Sequence, residues 1–342
     1  MQEILKTVKI DFVVPWVDSY DPEWIKSYNY YRPDKPIQDK ARFRNWNLFR
    51  YWFRAVERYA PWVNKVYLIT NGKFPEWINP ECEKLVLVKH SDYIPDNKLP
   101  TFNSVTIELY IDRIEGLSEH FVYFNDDVFI NSAVEPEYFF KDGLPCDFNF
   151  ESPFRNPEYS EQDGFGPNLA GFCDVAVLNK HFNRKKVVIK AWKKWYGRHL
   201  WGKPLLLSLL LTGRSRFEHI SPLHLEQPML KSVYKEVWNK EGDLLDKKCT
   251  RFREEAHLNQ YLIRFWQLAS NKFYPQKKCG LSYYRYNKEI VEDLIKNLRE
   301  EYFKSICIND SPYCTDKDFL YASKAIQQAF ELKFPQRSMF EK

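Results

Sequence analysis

The sequence predicts an α/β protein with a Rossmann-like, doubly wound and mainly parallel sheet, followed by a C-terminal helical lobe. Two patterns indicate this class. Apolar runs that end at Pro, Asn or Asp alternate with segments of helical spacing four times in about 120 residues. Beyond residue 172 helical periodicity dominates, and we find no internal repeat or low-complexity tract.

Four buried strands are predicted from runs rich in β-branched and aromatic residues, at 10–14, 65–70, 85–88 and 121–124. Helices are predicted between them at 49–59 and 105–114, where apolar residues recur at helical spacing. Ligands of doubly wound sheets bind at the carboxyl ends of the strands. Asp18 and the pair Asp126-Asp127 follow two such ends, so the site is expected there.

Residues 141–172 are rich in Gly, Pro, Asn and Asp, which predicts a long loop that closes over a site. The later helices are predicted at 185–196, 229–238, 257–268, 289–303 and 317–332. The longest apolar run, 205–211, predicts a buried helix. Docking on a membrane surface is the alternative, because the basic residues Lys203, Arg214 and Arg216 flank the run.

Composition narrows the class of protein. The 342 residues carry 51 Lys and Arg against 46 Asp and Glu, and the charge of +5 suits an anionic ligand or a lipid surface. Seven scattered cysteines form no CxxC pair and indicate reduced thiols in a cytoplasmic protein. The N-terminus lacks the pattern of a secretory signal, and no apolar run approaches the roughly 20 residues of a membrane span.

Asn125-Asp126-Asp127 presents an amide and two carboxylates at the end of a predicted strand. Oxygen ligands of this kind suit a divalent cation together with two phosphates. A turn in which these side chains bond to local backbone is the competing interpretation, and it is favoured when the motif is taken alone.

Other candidates depend on their context. His224 precedes Pro228 and could act as a general base, although a lone histidine is more often structural. Arg253, Arg42 and Arg44 could contact phosphate oxygens. Each belongs to an Arg-x-Arg pair, however, and a solvated basic face is the default interpretation of such a pair. No Gly-rich phosphate loop, zinc-spaced Cys/His cluster, GxSxG elbow or RNA-binding pattern occurs, which leaves chemistry of a metal and a phosphate.

Four blocks of the chain, in order, resemble the Stealth proteins, which include bacterial capsule and exopolysaccharide phosphotransferases. They are IDFVVPWVDSYDPEW at 10–24, RFRNWNLFRYWFRAVERYAPWVNKVYLITNGKFPEWIN continuing to residue 130, HLEQPMLKSVYKEVW with TRFREEAHLNQYLIRFWQLASNKFYP at 224–275, and KSICINDSPYC at 304–314. The second block is long and highly specific.

The resemblance implies an enzyme that cleaves the diphosphate of a nucleotide sugar and passes the sugar 1-phosphate to an acceptor hydroxyl. It implies that Asp127, with Asp126 or Asp310, binds Mg²⁺ or Mn²⁺, although Asp310 could equally belong to a helix cap. His224 and Arg253 fall on positions tied to catalysis and phosphate contact. The remaining residues assigned to substrate binding are Trp16, Asp18, Arg42, Arg44, Asn103, Asn125 and Asn259. The chain departs from the family pattern at His257, where bacterial relatives usually carry Asp.

The expected organisation is a nucleotide-sugar-binding core at 1–180, a helical acceptor and catalytic lobe at 181–302, and a segment at 303–342 that returns to the core. The expected partners are a nucleotide-sugar donor, such as a UDP-sugar, and a glycan or lipid-linked glycan acceptor, with no nucleic acid. A peripheral contact with the inner membrane face is part of this expectation. Two alternatives stay open: a metal-dependent glycosyltransferase that attacks the sugar carbon, and a non-catalytic glycan-binding module whose aromatic residues stack on sugar rings.

Overall fold

The computed structural model describes residues 8–34, 44–153, 166–253, 258–310 and 314–342, with 166–168 described by their backbone alone. Its central sheet has five strands in the order β10-β4-β1-β2-β3. They are β1 Ile10–Pro15, β2 Val66–Thr70, β3 Leu85–Lys89, β4 His120–Tyr123 and β10 Gln227–Leu230. The first four are parallel, and β10 runs antiparallel to β4. The predicted α/β class and all four predicted strands are confirmed.

The chain order creates a crevice between β1 and β4. Strands β2 and β3 extend the sheet on one side of β1, whereas β4 lies on its other side, so the winding reverses at this point. The carboxyl ends of β1 and β4 therefore lie next to each other at one edge, with the register Val13 to Tyr123. The two predicted acidic features follow these two strand ends.

Smaller sheets and helices surround the central sheet. The short strands are β5 Val128–Ile130, β6 Phe140–Lys141, β7 Leu144–Asp147, β8 Glu151–Ser152, β9 His219–Ile220, β11 Tyr274–Pro275, β12 Gly280–Tyr283 and β13 Ser305–Ile308. The helices of the described residues are α1 Pro22–Tyr31, α2 Phe49–Tyr59, α3 Ser104–Leu109, α4 Pro136–Phe139, α5 Gly166–His181, α6 Arg184–Lys190, α7 Trp192–Trp195, α8 Lys203–Leu209, α9 Lys231–Lys248, α10 Tyr261–Ala269, α11 Lys288–Glu300 and α12 Asp316–Lys333. Among these helices, none combines the length and apolar content needed to cross a bilayer.

One predicted helix starts too early, and one predicted loop contains regular structure. The helix predicted from residue 229 begins only at Lys231, because Gln227–Leu230 form β10 and supply backbone partners to the open edge of β4. Pro228 is tolerated there because β10 is itself an edge strand. The loop predicted at 141–172 contains β6, β7, β8 and the start of α5. Asp142 and Gly143 adopt positive φ and form the tight turn of the β6–β7 hairpin.

Other predictions need correction in their extent. The helix predicted at 185–196 is broken at Ala191, whose φ and ψ of −138° and 40° are not helical, so it forms α6 and α7. The helix predicted at 105–114 forms α3 and a following 3₁₀ turn, Ile111–Arg113. The run at 205–211 forms α8, but α8 is not buried, since Leu206, Leu209 and Leu210 are exposed.

The predicted domain boundaries stay predictions, but two of the contacts across them bear on the site. Strand β10 belongs to the central sheet although it lies beyond residue 180. Strand β13, in the predicted C-terminal segment, pairs antiparallel with β5, which directly follows the Asn125-Asp126-Asp127 turn. The seven cysteines are all free thiols, in agreement with the prediction of reduced cysteines.

A buried arginine connects the lobe to the core. The guanidinium of Arg264, on α10, donates to both carboxylate oxygens of Asp147 at 2.9 Å and to the carbonyl oxygens of Phe148 and Ser221. The side chains of Arg264 and Asp147 are only 3% and 4% exposed. The interaction therefore holds the chain just before His224 against the end of β7.

We expect Arg264→Met to lower the free energy of unfolding by about 3–5 kcal/mol, because the carboxylate of Asp147 would remain buried without its partner. Urea unfolding followed by circular dichroism measures the change. Arg299→Met, at an exposed position on α11, is the matched control and should change the free energy of unfolding by less than about 0.5 kcal/mol. Equal stability of the two variants would show that the buried pair is not needed.

Candidate active site

The site is built on the turn that follows β4. The amide of Phe124 donates to the carbonyl oxygen of Val13 and continues the parallel ladder by one residue. The amide of Val128 then donates to the carbonyl oxygen of Asn125 at 3.1 Å, which closes the turn before β5. On the other side, the amide of Ile308 on β13 donates to the carbonyl oxygen of Asp127 at 2.8 Å. Two strands thus hold the backbone of the predicted motif.

His224 meets this turn from the loop that precedes β10. Its Nε2 atom lies 3.2 Å from Oδ2 and 3.3 Å from Oδ1 of Asp127, and 3.1 Å from Nδ2 of Asn125. The carbonyl oxygen of His224 accepts a hydrogen bond from Ser282 Oγ at 3.2 Å, which fixes the loop against β12. The structure therefore brings together three residues that the sequence assigned to the site.

A polar chain runs from Asn125 into the core. The hydroxyl of Tyr123 lies 2.7 Å from Oδ1 of Asn125 and 3.0 Å from Oε1 of Glu108 on α3. Burial raises the pKa of Glu108 to about 7, although Arg253 and the Tyr123 hydroxyl act in the opposite direction. A protonated Glu108 can donate to Tyr123, which then donates to Asn125. This order turns Nδ2 of Asn125 towards the histidine.

The pKa values of His224 and Asp126 are set by their neighbours. Desolvation lowers the pKa of His224, but the charge and hydrogen bond of Asp127 outweigh it, with help from Glu108 and Asp126, and the net pKa is raised. Asp126 is exposed as a residue. Desolvation by the protein atoms around its carboxyl group, and then the negative charge of Asp127, raise the pKa of Asp126 to about 7.

A compact set of possible metal ligands lies at this point. Among the described residues, Asp127, His224 and Cys307 have ligand atoms within 4.8 Å of one another. Cys307 is buried, its Sγ lies 3.6 Å from Oδ2 of Asp127, and burial and this carboxylate hold the pKa of the thiol well above its usual range. A protonated thiol is a weak ligand, so oxygen ligation by Asp127 with the neighbouring Asp126 suits the hard cations Mg²⁺ and Mn²⁺ better.

Arg253 stands beside this centre. Its Nη2 atom donates to Ser104 Oγ at 2.5 Å, at the start of α3. The charge of Arg253 also reaches the carboxyl group of Glu108. Arg253 therefore lies near Glu108, which Tyr123 links to Asn125, and its phosphate contact stays a prediction.

Two further predicted residues pair with each other. Nη1 of Arg44 lies 3.4 Å from Oδ1 of Asp310 and donates to the carbonyl oxygen of Cys314 at 2.9 Å, while Nη2 bonds to Asp316 at 2.8 Å. Asp310 is thus engaged with Arg44 and is not part of the set around Asp127. Its role as a metal ligand stays a prediction, as does the phosphate contact of Arg44.

Trp16 and Asp18 follow β1, across the crevice from Asn125. The indole of Trp16 stacks on the ring of Phe49 with centroids 5.6 Å apart and an interplanar angle of 5°. One oxygen of Asp18 accepts from the backbone amide of Tyr20 at 3.0 Å and closes a local turn. Both side chains are half-buried, so each keeps surface that a nucleotide can reach.

The two asparagines from the matching blocks are engaged locally. Asn103 is buried, caps α3 through the amide of Val105, and donates to the carbonyl oxygen of Thr250 at 3.1 Å, which ties α3 to the stretch carrying Arg253. Asn259 accepts from the amide of Tyr261, the first residue of α10, at 2.9 Å. Their substrate contacts stay predictions. Arg42 and His257 lie outside the described residues.

Sequence reasoning missed three members of the site. Cys307 was grouped with the other thiols, although it lies two residues before Asn309-Asp310 in a matching block. Glu108 was passed over as part of an amphipathic helix, although a carboxylate between apolar residues is a warning of a buried charge. Tyr123 was counted only as a strand residue. The proximity of these three residues in the folded protein could not be inferred from their spacing in the sequence.

Comparison with known proteins agrees with the resemblance found in the sequence blocks. Residues 42–146 match the family model described as Stealth protein CR2, conserved region 2. The chain is 38% identical over 339 residues to the capsular polysaccharide phosphotransferase WcwK of Streptococcus pneumoniae, covering 97% of this chain and 99% of that protein. It is 36% identical over 335 residues to the exopolysaccharide phosphotransferase cps2G of Lactiplantibacillus plantarum, covering 97% and 96%.

A third relative is the receptor polysaccharide phosphotransferase WefC of Streptococcus gordonii, 34% identical over 342 residues, with 97% of this chain and 99% of that protein covered. Among solved structures, the galactosyltransferase LgtC aligns over 93% of this chain and 95% of its own, at 7% identity and a TM-score of 0.37. A score this low carries no conclusion for this chain. The sequence identities over nearly the full chain do support a conclusion. The chain belongs to the Stealth family of polysaccharide phosphotransferases.

Proposed function

We propose that the protein transfers a sugar 1-phosphate from a nucleotide sugar, such as a UDP-sugar, to a hydroxyl of a glycan acceptor that is linked to a lipid. The observation that carries this proposal is the 3.2 Å approach of His224 Nε2 to the carboxylate of Asp127 at the end of β4. A base and an anionic ligand for a cation then lie side by side where a doubly wound sheet binds its ligands. The full-length similarity to phosphotransferases supports it.

In this proposal the nucleotide sugar binds across the crevice between β1 and β4. Trp16 and Asp18 offer a stacking face and an acceptor for the nucleoside on the β1 side. Asp126 and Asp127 would hold Mg²⁺ or Mn²⁺ on the β4 side, and the bound cation would stabilise negative charge on the phosphoryl oxygens. Arg253, which is hydrogen-bonded to Ser104 at the start of α3, adds a positive charge for the same oxygens.

His224 takes the proton of the acceptor. Tyr123 donates to Oδ1 of Asn125, so Nδ2 of Asn125 faces Nε2 of His224 and can donate to the neutral ring. The neutral imidazole acts as a base when the acceptor hydroxyl takes the place of Asn125 as the donor to Nε2. Once Nε2 is protonated it can donate to Asp127, whose charge stabilises the imidazolium.

The bond changes follow from this arrangement. The acceptor oxygen forms a bond to the phosphorus that carries the sugar, while the bond from that phosphorus to the oxygen bridging the two phosphates breaks. The proton passes to His224, and the electrons of the broken bond leave on the nucleoside monophosphate. The bond between the sugar carbon and its oxygen is untouched, so the anomeric configuration is kept.

The first prediction concerns the products. A panel of nucleotide sugars incubated with the protein, Mn²⁺ and a glycan acceptor should release nucleoside monophosphate in a 1:1 ratio with a product that shows a phosphodiester signal in ³¹P NMR. Attack at phosphorus requires both results. Release of nucleoside diphosphate instead would establish glycosyl transfer and overturn the proposal.

The second prediction concerns the cation. Asp127→Asn should lower turnover at least about 100-fold and abolish the gain in donor affinity that Mn²⁺ produces in titration calorimetry, because one anionic ligand is lost. Asp142→Asn, in the exposed turn between β6 and β7, makes the same chemical change away from the site and should stay within about twofold of wild type. Unchanged Mn²⁺ dependence in Asp127→Asn would remove this carboxylate from the metal site.

The third prediction separates catalysis from binding. His224→Gln should lower kcat by about 10²–10⁴ while the Kd of the donor changes less than about threefold, because the base acts on the acceptor proton. The control is His120→Gln at the opposite end of β4, which keeps a donor for the carbonyl oxygen of Gly143. If His224→Gln retains a wild-type kcat, another group is the base.

A further inference from the structure

One stretch of chain in the helical lobe exposes several large apolar side chains. Trp201 is 81% exposed, and Leu206 and Leu210 are 66% and 67% exposed. Ile189, Trp192 and Leu209 add to the same stretch of chain. We call residues 175–217 the basic apolar segment, after the charge pattern described below. Exposed apolar groups of this size, gathered in one stretch, mark an interaction surface.

Helix α8 is inverted relative to a normal surface helix. The buried residue of α8 is Ser208, which is polar. Its Oγ donates to the carbonyl oxygen of Glu151 at 2.9 Å. Its leucines at 206 and 209 point to solvent instead. A surface helix of a globular protein buries its apolar stripe and exposes its polar face, so α8 is oriented for an apolar environment outside the protein.

A buried polar network holds this orientation. Arg184 Nε donates to Glu151 at 2.7 Å, and its Nη1 donates to the carbonyl oxygen of Leu211 at 2.6 Å, just beyond α8. The indole of Trp195 donates to Asn271 at 2.8 Å, and His199 contacts Asn149 at 2.6 Å. The exposed leucines and tryptophans are therefore presented by a fixed scaffold and do not result from a loosely attached loop.

The charge of this segment is one-sided. Between Val175 and Phe217 the sequence has eleven Lys and Arg and no Asp or Glu. Subtracting these eleven from 51 leaves 40 basic against 46 acidic residues, so the rest of the chain has a net charge of −6. Nine of the eleven are exposed. Lys180 and Arg214 lie within ion-pair distance of Glu241 and Glu218. The other seven are Lys185, Lys186, Lys190, Lys193, Arg198, Lys203 and Arg216.

We propose that the basic apolar segment docks the protein on an anionic phospholipid surface. Leucines and tryptophans that enter the headgroup boundary, surrounded by Lys and Arg, are the pattern of a protein that lies on a membrane without crossing it. Each basic residue near an anionic leaflet strengthens this attraction. The long stems of Lys and Arg also cover apolar surface while their charges stay in water.

A second copy of the chain is a poorer occupant. In a symmetric dimer the same patch would face itself, and the exposed cations on each side would meet cations across the interface. Like charges placed opposite each other repel and disfavour such a dimer. A lipid headgroup layer supplies the opposite charge and an apolar interior together.

The position of the segment fits the proposed lipid-linked acceptor, on which this inference builds. The segment leads into β9, which pairs with β8 next to the buried Arg184–Glu151 interaction. His224 follows only four residues after Ile220, the end of β9. Four residues span at most about 14 Å, so β9, which directly follows the segment, and His224 lie within that distance of each other.

The test is sedimentation of the full chain with sucrose-loaded vesicles. We expect wild type to pellet with phosphatidylglycerol–phosphatidylcholine vesicles, to remain in solution with phosphatidylcholine alone, and to lose binding in about 0.5 M salt, where charges are screened. Trp201→Ser/Leu206→Ser/Leu210→Ser should weaken partitioning at least tenfold, or about 1.4 kcal/mol. Lys190→Gln/Lys193→Gln/Lys203→Gln should weaken it at low salt.

The matched control is Leu320→Ser/Leu332→Ser, which removes two leucines of α12 that are 69% and 83% exposed, and should bind vesicles like wild type. Nucleoside monophosphate release to a water-soluble acceptor should be unchanged in all these variants, since they lie outside the site. Loss of that release in wild type, with vesicle binding intact, would refute the proposed function alone. The docking inference fails if wild type ignores anionic vesicles, if the triple serine variant binds like wild type, or if the segment instead drives dimer formation in light scattering.

Discussion

The antiparallel pairing of β10 with β4 is the constraint on which the candidate site depends. β4 runs towards the site and ends there, and an antiparallel neighbour must begin where β4 ends. The register places Gln227 opposite Tyr123, so the loop before β10 arrives beside the turn after β4. Asp127 and His224 are 97 residues apart in the chain, and this pairing brings them within 3.2 Å.

The same region shows why the polar groups around the centre are buried together. Glu108, Tyr123 and Asn125 form one hydrogen-bonded chain, and each would be costly to bury alone. Linked in this way they orient a single amide towards His224, while Asp127 is left to stabilise the protonated ring. Ser104 and Asn103, at the start of α3, hold Arg253 and the stretch before it in place. Orientation of the imidazole is therefore a property of the whole network.

The helical lobe joins the site to the surface through buried ion pairs. Arg264 with Asp147 holds the chain just before His224, and Arg184 with Glu151 holds the end of α8. Both arginines also bond to backbone carbonyl oxygens, so each pair fixes the path of a loop as well as neutralising a charge. The proposed lipid-docking surface and the proposed catalytic base are thus carried by one continuous, polar-anchored stretch of the lobe.

The sequence by itself determined the α/β class, the four parallel strands, the turn Asn125-Asp126-Asp127 at a strand end and, through its matching blocks, the family. These features are local, because strand and helix periodicity and short motifs depend on neighbouring residues. Tertiary structure alone decided that residues 227–230 form a strand, that Asp142-Gly143 turns a hairpin, that Cys307 and Glu108 approach the site, that Arg44 pairs with Asp310, and that α8 exposes its leucines. Each of these outcomes depends on a partner distant in sequence, such as the open edge of β4 or the buried carbonyl oxygen of Glu151, and periodicity along the chain contains no information about such partners.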